Sequence, residues 1–191
     1  MRTLHQTSMS TAMSTQPPDP TTPAEKALFE QLDMLGVNHE TCRHEPLFSV
    51  KESQQLRGAL PGAHIKNLFL RDKKKNIWLV TALEDQQIDL KALRKILQAK
   101  GNLSFGNANL LMEVLGVIPG AVTPFSVLND RENRATMVLD QAILDYKLVN
   151  AHPLRNDRTT SISPDGLLKF LDSQQHAPVI LDFNALNTLN A

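Results

Sequence analysis

One cation, Lys66, stands inside the apolar run Ala63-His64-Ile65-Lys66-Asn67-Leu68-Phe69-Leu70-Arg71. Further along the chain comes Gly116-Val117-Ile118-Pro119-Gly120-Ala121-Val122-Thr123-Pro124-Phe125. An ammonium on a strand supplies a fixed positive charge. A loop punctuated by glycine and proline supplies backbone N–H groups left over from helix and sheet pairing. Together they can grip an anionic ligand that carries an ester.

Strand alternation sends Ile65, Asn67 and Phe69 to one side and Lys66, Leu68 and Leu70 to the other. Lys66 therefore shares a face with leucines: either that face opens into a cleft, or the side chain snorkels to solvent from the start of the strand. Pro119-Gly120 favours a turn with the glycine at positive φ, which serves as an anion or carbonyl site or simply as a turn. Thr123 and Pro124 extend the rigid stretch. His152, just before Pro153, can donate into a pocket, take part in proton transfer, or be structural. His39, His44, His64 and His176 show no metal-ligand spacing with Cys42 or the carboxylates, so no metal is expected. Cys42 has no evident base beside it and reads as an inert thiol. A nucleophile elbow, a phosphate loop and a dinucleotide fingerprint are all missing, and no cofactor is expected.

The elements that must position these groups are legible from caps and periodicity. Thr22-Pro23-Ala24-Glu25 predicts a capping box opening a helix, with a stripe of Leu28, Phe29, Leu32 and Leu35 ahead of Gly36. Ser49-Val50-Lys51-Glu52 repeats the capping pattern for a short helix. Residues 65–71 and 77–82 read as a hairpin with the charged tip Asp72-Lys73-Lys74-Lys75-Asn76. Asp89 is expected to cap a helix carrying Leu90, Leu93, Ile96 and Leu97, closed by Gly101. Asn107 opens another with Leu110, Leu111, Val114 and Leu115, ended by Gly116. Residues 126–128, 135–139, 148–152, 159–162 and 179–183 read as short strands, and Ser163-Pro164 opens a helix. This irregular interleaving predicts an α+β domain: a single compact unit with a mixed, largely antiparallel sheet and flanking helices.

The chain has 191 residues, 41% hydrophobic and 21% charged, with zero formal net charge. That size suits one domain over residues 22–191 behind a disordered tail over 1–21. Zero net charge means that nucleic acid, if bound, is met by a local patch. Such a patch exists: residues 64–100 hold nine Lys and Arg against four acids, an excess of five. It can contact phosphates or remain a solvated tip and helix face. With one cysteine, no intrachain disulfide can form, which points to a reducing, cytoplasmic setting. No run nears membrane-spanning length.

Three strings in order carry a resemblance: Lys66-Asn67-Leu68-Phe69-Leu70-Arg71-Asp72-Lys73-Lys74, the Gly116–Phe125 loop, and Asn150-Ala151-His152-Pro153-Leu154. They resemble the YbaK/prolyl-tRNA-synthetase-associated editing domain family, and within it the free-standing PrdX (ProXp-ala) deacylases. The resemblance implies a metal-free hydrolase that releases amino acids wrongly attached to proline tRNA, alanine in this branch and cysteine in the YbaK branch. It implies that Lys66 is the lysine needed for activity and that Asn67 is its neighbour. It also makes Gly116, Val117, Pro119, Gly120 and Thr123 the pocket loop, and His152 a pocket histidine. Arg71, Lys73, Lys74 and Lys75 become candidate contacts to tRNA, and prolyl-tRNA synthetase a candidate partner. The charged Arg155-Asn156-Asp157-Arg158 departs from the family pattern. The competing readings are a non-enzymatic tRNA-binding module and a synthetase-associated partner domain.

Overall fold

Thr22 opens the first helix as its cap: its Oγ1 accepts from the Glu25 amide at 3.2 Å, and its own amide donates to Glu25 Oε2 at 2.9 Å. This reciprocal pair satisfies two of the helix's orphan donors. The computed structural model describes residues 21–44 and 60–188. The helix expected from Ser49, and all but the last residue of the expected tail, lie outside those residues. In chain order the structure runs α1 (Pro23–Met34), β1 (His39–Arg43), β2 (Ala63–Arg71), β3 (Ile77–Leu83), α2 (Leu90–Ile96), β4 (Ser104–Phe105) and α3 (Ala108–Leu115). A 3-10 turn (Pro124–Asn129), β5 (Ala135–Asp140), a second 3-10 turn (Gln141–Asp145), β6 (Val149–Ala151), β7 (Arg158–Ile162), α4 (Pro164–Ser173), β8 (Val179–Leu181) and α5 (Phe183–Thr188) complete it.

The strands form one mixed sheet in the order β1-β7-β6-β2-β3-β5-β8, with β4 added to β2. β2 and β3 pair antiparallel along the whole hairpin, Ile65 opposite Leu83 through Arg71 opposite Ile77. β3 is buried on both faces, which is why its sequence reads as a continuous apolar run. On one side of the sheet, Phe69, Leu79, Met137 and Leu139 pack against Leu28 and Leu32 of α1, Leu111 and Leu115 of α3, and Phe170 of α4. On the other, Leu70, Trp78, Val80 and Val138 meet Leu93 of α2 and Phe183 of α5. Among the described residues no helix is long and apolar enough to cross a membrane.

Three expectations need correction, and one strand was not anticipated. Residues 126–128 belong to a 3-10 turn, because Pro124 sits at its N1 position and Thr123 caps it through the Phe125 amide. The run 179–183 stops as a strand at Leu181, and Phe183 begins α5, led by Asp182 Oδ1 accepting from the Asn184 and Ala185 amides. Gly101 does not close α2, which ends at Ile96 with Leu97 as its C-cap and Gln98 already at φ +51. β1 was not expected at all: its sequence HETCR is polar, and it exists by pairing with β7 at the edge of the sheet.

Candidate active site

The alternation read from the sequence holds in β2. Phe69, with Ile65 beside it, joins the layer containing Phe125, whereas Leu70 and Leu68 join the layer beneath α2. What the sequence did not reveal is a gap along one edge of this strand. β6 pairs with β2 in parallel over two positions, Ala63–Val149 and His64–Asn150, and β4 takes up the same strand only at Leu70 and Arg71. Among the described residues no strand pairs with that edge over the stretch between. Gly62 starts the split: at φ +111 it lies so close to Leu148 that a Cβ would sit 2.6 Å from that carbonyl oxygen. The approach lets the Ala63 amide reach the same oxygen at 2.8 Å.

Asn67 projects from the middle of the gap. Its Nδ2 donates to the Val122 carbonyl at 2.9 Å, and its Oδ1 accepts from the fully buried Thr81 hydroxyl at 2.6 Å. One side chain therefore staples the Gly/Pro loop to two strands. Gly116 ends α3 at φ +64, where a Cβ would lie 2.7 Å from Asn129 Nδ2, itself donating to the Leu115 carbonyl. Pro119-Gly120 forms the expected turn, with Gly120 at φ +89 and the Ala121 amide donating to the Ile118 carbonyl at 3.0 Å. Val117 and Ala121 anchor the loop in the core, while Ile118 points outward. The amides of Val117, Ile118 and Gly120 have no hydrogen-bond acceptor among the described residues. Thr123 is fully buried, and its oxygens serve Phe125 and Ser126. Phe125 packs edge to face on Phe170, with centroids 5.4 Å apart, and seats the end of the loop.

Lys66 lies on the opposite face of the strand. Its Nζ donates to the Gln86 carbonyl in the turn after β3. Burial lowers its pKa from the ordinary lysine value, and the charges of Asp85, Glu84 and Asp140 oppose that drop. A cavity of about 610 Å³ opens on this face, lined by Gly62, His64, Glu84, Asp85, Gln86 and Tyr146 among others. Asp140 is buried close by and accepts from the Leu83 and Ala142 amides at 3.2 and 3.1 Å. Burial raises its carboxyl despite those bonds. The structure thus ties Asn67 to Val122, just past the Gly116–Gly120 bend, and it sets Lys66 on the opposite face of the same strand.

His152 follows β6 at the point where the split begins. Asn150 is level with His64, so the next pair of positions along the same register would set His152 level with Lys66, and the ladder stops before it. Its Nδ1 lies 3.0 Å from the Arg158 carbonyl, an acceptor, so Nδ1 carries the proton and Nε2 offers a lone pair. Burial lowers its pKa, which keeps the imidazole neutral at pH 7. The His44 ring stands 6.2 Å away. The unusual charges after it are structural: Arg158 Nη1 reaches the fully buried Glu25 at 3.1 Å, and Asp157 holds Arg158 and Arg155. Arg71 and Lys73–Lys75 are exposed at the far end of β2. Sequence reasoning passed over Thr81, a lone hydroxyl in the apolar run of β3 that could have been noticed. It had no signal for the carbonyls of Gln86, Val122 and Arg158.

The chain matches the model of the aminoacyl-tRNA editing domain over residues 44–170. It is 40% identical over 161 residues to the mouse prolyl-tRNA synthetase associated domain-containing protein 1, covering 82% of this chain and 95% of that one. It is 36% identical over 150 residues to the prolyl-tRNA editing protein ProX of Acetoanaerobium sticklandii, covering 78% and 90%. A solved structure described as a candidate trans-editing enzyme for prolyl tRNA synthetase has the same fold, with a TM-score of 0.65 at 19% identity over 84% of this chain and 96% of that one. The chain belongs to the aminoacyl-tRNA editing domain family.

Proposed function

We propose that this protein is a trans-editing hydrolase that removes alanine from mischarged tRNA(Pro) by hydrolysing the aminoacyl ester. The observation that carries the reading is the Asn67 staple, which ties the Gly/Pro loop at Val122 to the residue next to Lys66. The names of the mouse relative and of ProX supply the link to proline tRNA and to its synthetase as a partner.

An aminoacyl ester is already activated, so its hydrolysis needs positioning, a water and stabilisation of the developing oxyanion more than a covalent nucleophile. The free amides of Val117, Ile118 and Gly120 would face the carbonyl oxygen or the substrate's polar groups, with Pro119 fixing their angle and Gly116 and Thr123 fixing the ends of the bend. Lys66, released from the Gln86 carbonyl, would set its charge beside the terminal phosphate across the unpaired edge of β2. His152 would orient the attacking water through the Nε2 lone pair, and the neighbouring ribose hydroxyl of the substrate would relay the water's proton to the ribose oxygen released as the ester C–O bond breaks. A small pocket separates alanine from a residue one methyl different by only about 1–3 kcal/mol, so size exclusion of larger side chains does most of the sorting. Arg71 and Lys73–Lys75 would meet the tRNA backbone.

The test is a deacylation panel of alanyl-, cysteinyl- and prolyl-tRNA(Pro) with purified protein. Release of alanine well above buffer, with the prolyl ester spared, is expected. Release of cysteine ahead of alanine would reassign the substrate, and release of neither would leave a tRNA-binding or synthetase-associated module.

A further inference from the structure

The tip of the β2–β3 hairpin is built around a carboxylate. Asp72 is only 4% exposed, yet it accepts from the Lys74 amide at 2.8 Å, the Asn76 amide at 3.0 Å, the Asn76 side chain at 2.8 Å and the Lys100 amide at 2.7 Å. The Lys73 amide donates in turn to the Lys100 carbonyl at 3.1 Å. Burial alone would raise this carboxyl, but the bonds from Lys100, Asn76 and Lys74 outweigh it and hold it below the usual range. Gly101, at φ +86, packs where a Cβ would come within 3.2 Å of the Lys73 Cβ. Two segments distant in sequence are thereby locked together through their backbones.

What those segments carry outward is positive charge. Lys73, Lys74 and Lys75 come from the tip, and Arg94, Lys95 and Lys100 from α2 and the loop after it; all are exposed except the half-buried Arg94. Arg94 reaches Asn102 Oδ1 at 3.2 Å, and none of the six forms an ion pair among the described residues. An open groove of about 540 Å³ runs along Arg94, Lys95, Gln98, Lys100 and Gly101. The local acids are already engaged, Asp72 in the lock and Asp89 in capping α2 through the Lys91 amide. Gathering like charges on a fixed scaffold costs electrostatic energy that a polyanion would recover.

Distance supplies the second argument. Lys66 and Arg71 are five steps apart on β2, about 17 Å at ~3.3 Å per residue, and the tip lies further out. Four unpaired nucleotides separate the ester of a charged tRNA from its first base pair, about 14 Å when stacked at ~3.4 Å each and more when splayed. An ester held at Lys66 puts the first paired phosphates at the tip.

We propose that the Asp72-locked platform binds the phosphate backbone of an RNA acceptor stem and so fixes the reach from stem to ester; the inference rests on the editing reading above. The test compares an alanylated minihelix with a stemless alanyl-CCA trinucleotide across a salt series. Wild-type protein should favour the minihelix by about tenfold or more at low salt, with the preference fading as salt rises. The double substitution Lys95→Glu/Lys100→Glu should raise KM for the minihelix with kcat retained. It should also reduce the log–log salt slope of minihelix binding by about two, roughly one per cation removed. Equal efficiency of wild type on both substrates, or an unchanged slope in the double variant, overturns the platform. Hydrolysis of neither substrate would fail the editing reading instead, and binding of the uncharged minihelix would still judge the platform by the same slope.

Discussion

The two ends of the β2–β3 hairpin each bury a carboxylate, and they treat it in opposite ways. At the closed end Asp72 receives four hydrogen bonds and is held well ionised. At the open end Asp140 receives two, lies near Asp182, and is raised by burial. The donors available decide the outcome, since burial pushes both carboxyls upward. The closed end behaves as a rigid scaffold. At the open end burial also lowers the Lys66 ammonium, so burial biases both groups there toward their neutral forms. Under the proposed reading, chemistry falls at the open end and docking at the tip.

Substitutions should separate the ends. Lys66→Ala is expected to give the largest effect on activity, a loss of about a hundredfold or more in deacylation rate from one removed electrostatic contact. Its thermal unfolding should stay close to wild type; a rate within a few fold of wild type would move the chemistry away from the open end. Next, Asp72→Asn turns a donating NH2 toward the Lys100 amide and the Asn76 side chain, which are themselves donors, and should cost about 1–3 kcal/mol in denaturant unfolding. Asp140→Asn, the smallest effect, should change stability at neutral pH by less than about 0.5 kcal/mol or raise it slightly.

Acid titration of stability sharpens the contrast. The Asp72 carboxyl is lowered from 3.8 on folding, so its contribution is complete above 3.8 and disappears as pH falls through the folded-state value. The Asp140 carboxyl is raised from 3.8, so its contribution is present below 3.8 and lost as pH rises through the folded-state value. Unfolding measured across the acid range on Asp72→Asn and Asp140→Asn should therefore deviate from wild type with opposite slopes. Matching slopes would erase the distinction.

Much of this was legible in the sequence, for identifiable reasons. Caps at Thr22, Asp89, Asn107 and Ser163 are local chemistry and appeared as read. The period-2 pattern of β2 and the Pro119-Gly120 turn are equally local. The face on which the loop packs was not legible, because it is settled by one long-range bond from Asn67 to Val122. The lock at the tip was hidden for the same reason, since Lys100 is remote from Asp72 in sequence. β1 lacked any apolar alternation to announce it. The charges after His152 looked out of place until Glu25 was seen beneath them.

That last contact ties the histidine to the far start of the fold. Arg158 holds His152 with its carbonyl and Glu25 with its guanidinium, and Glu25 holds the amide of Thr22. Lys26, the next residue, is exposed on α1, so trypsin would reach the bond after it when the first helical turn opens. A single nick after it would part the counter-ion Glu25 from the rest of the fold. The imidazole would then lose its aim while every residue around the ester remained in place.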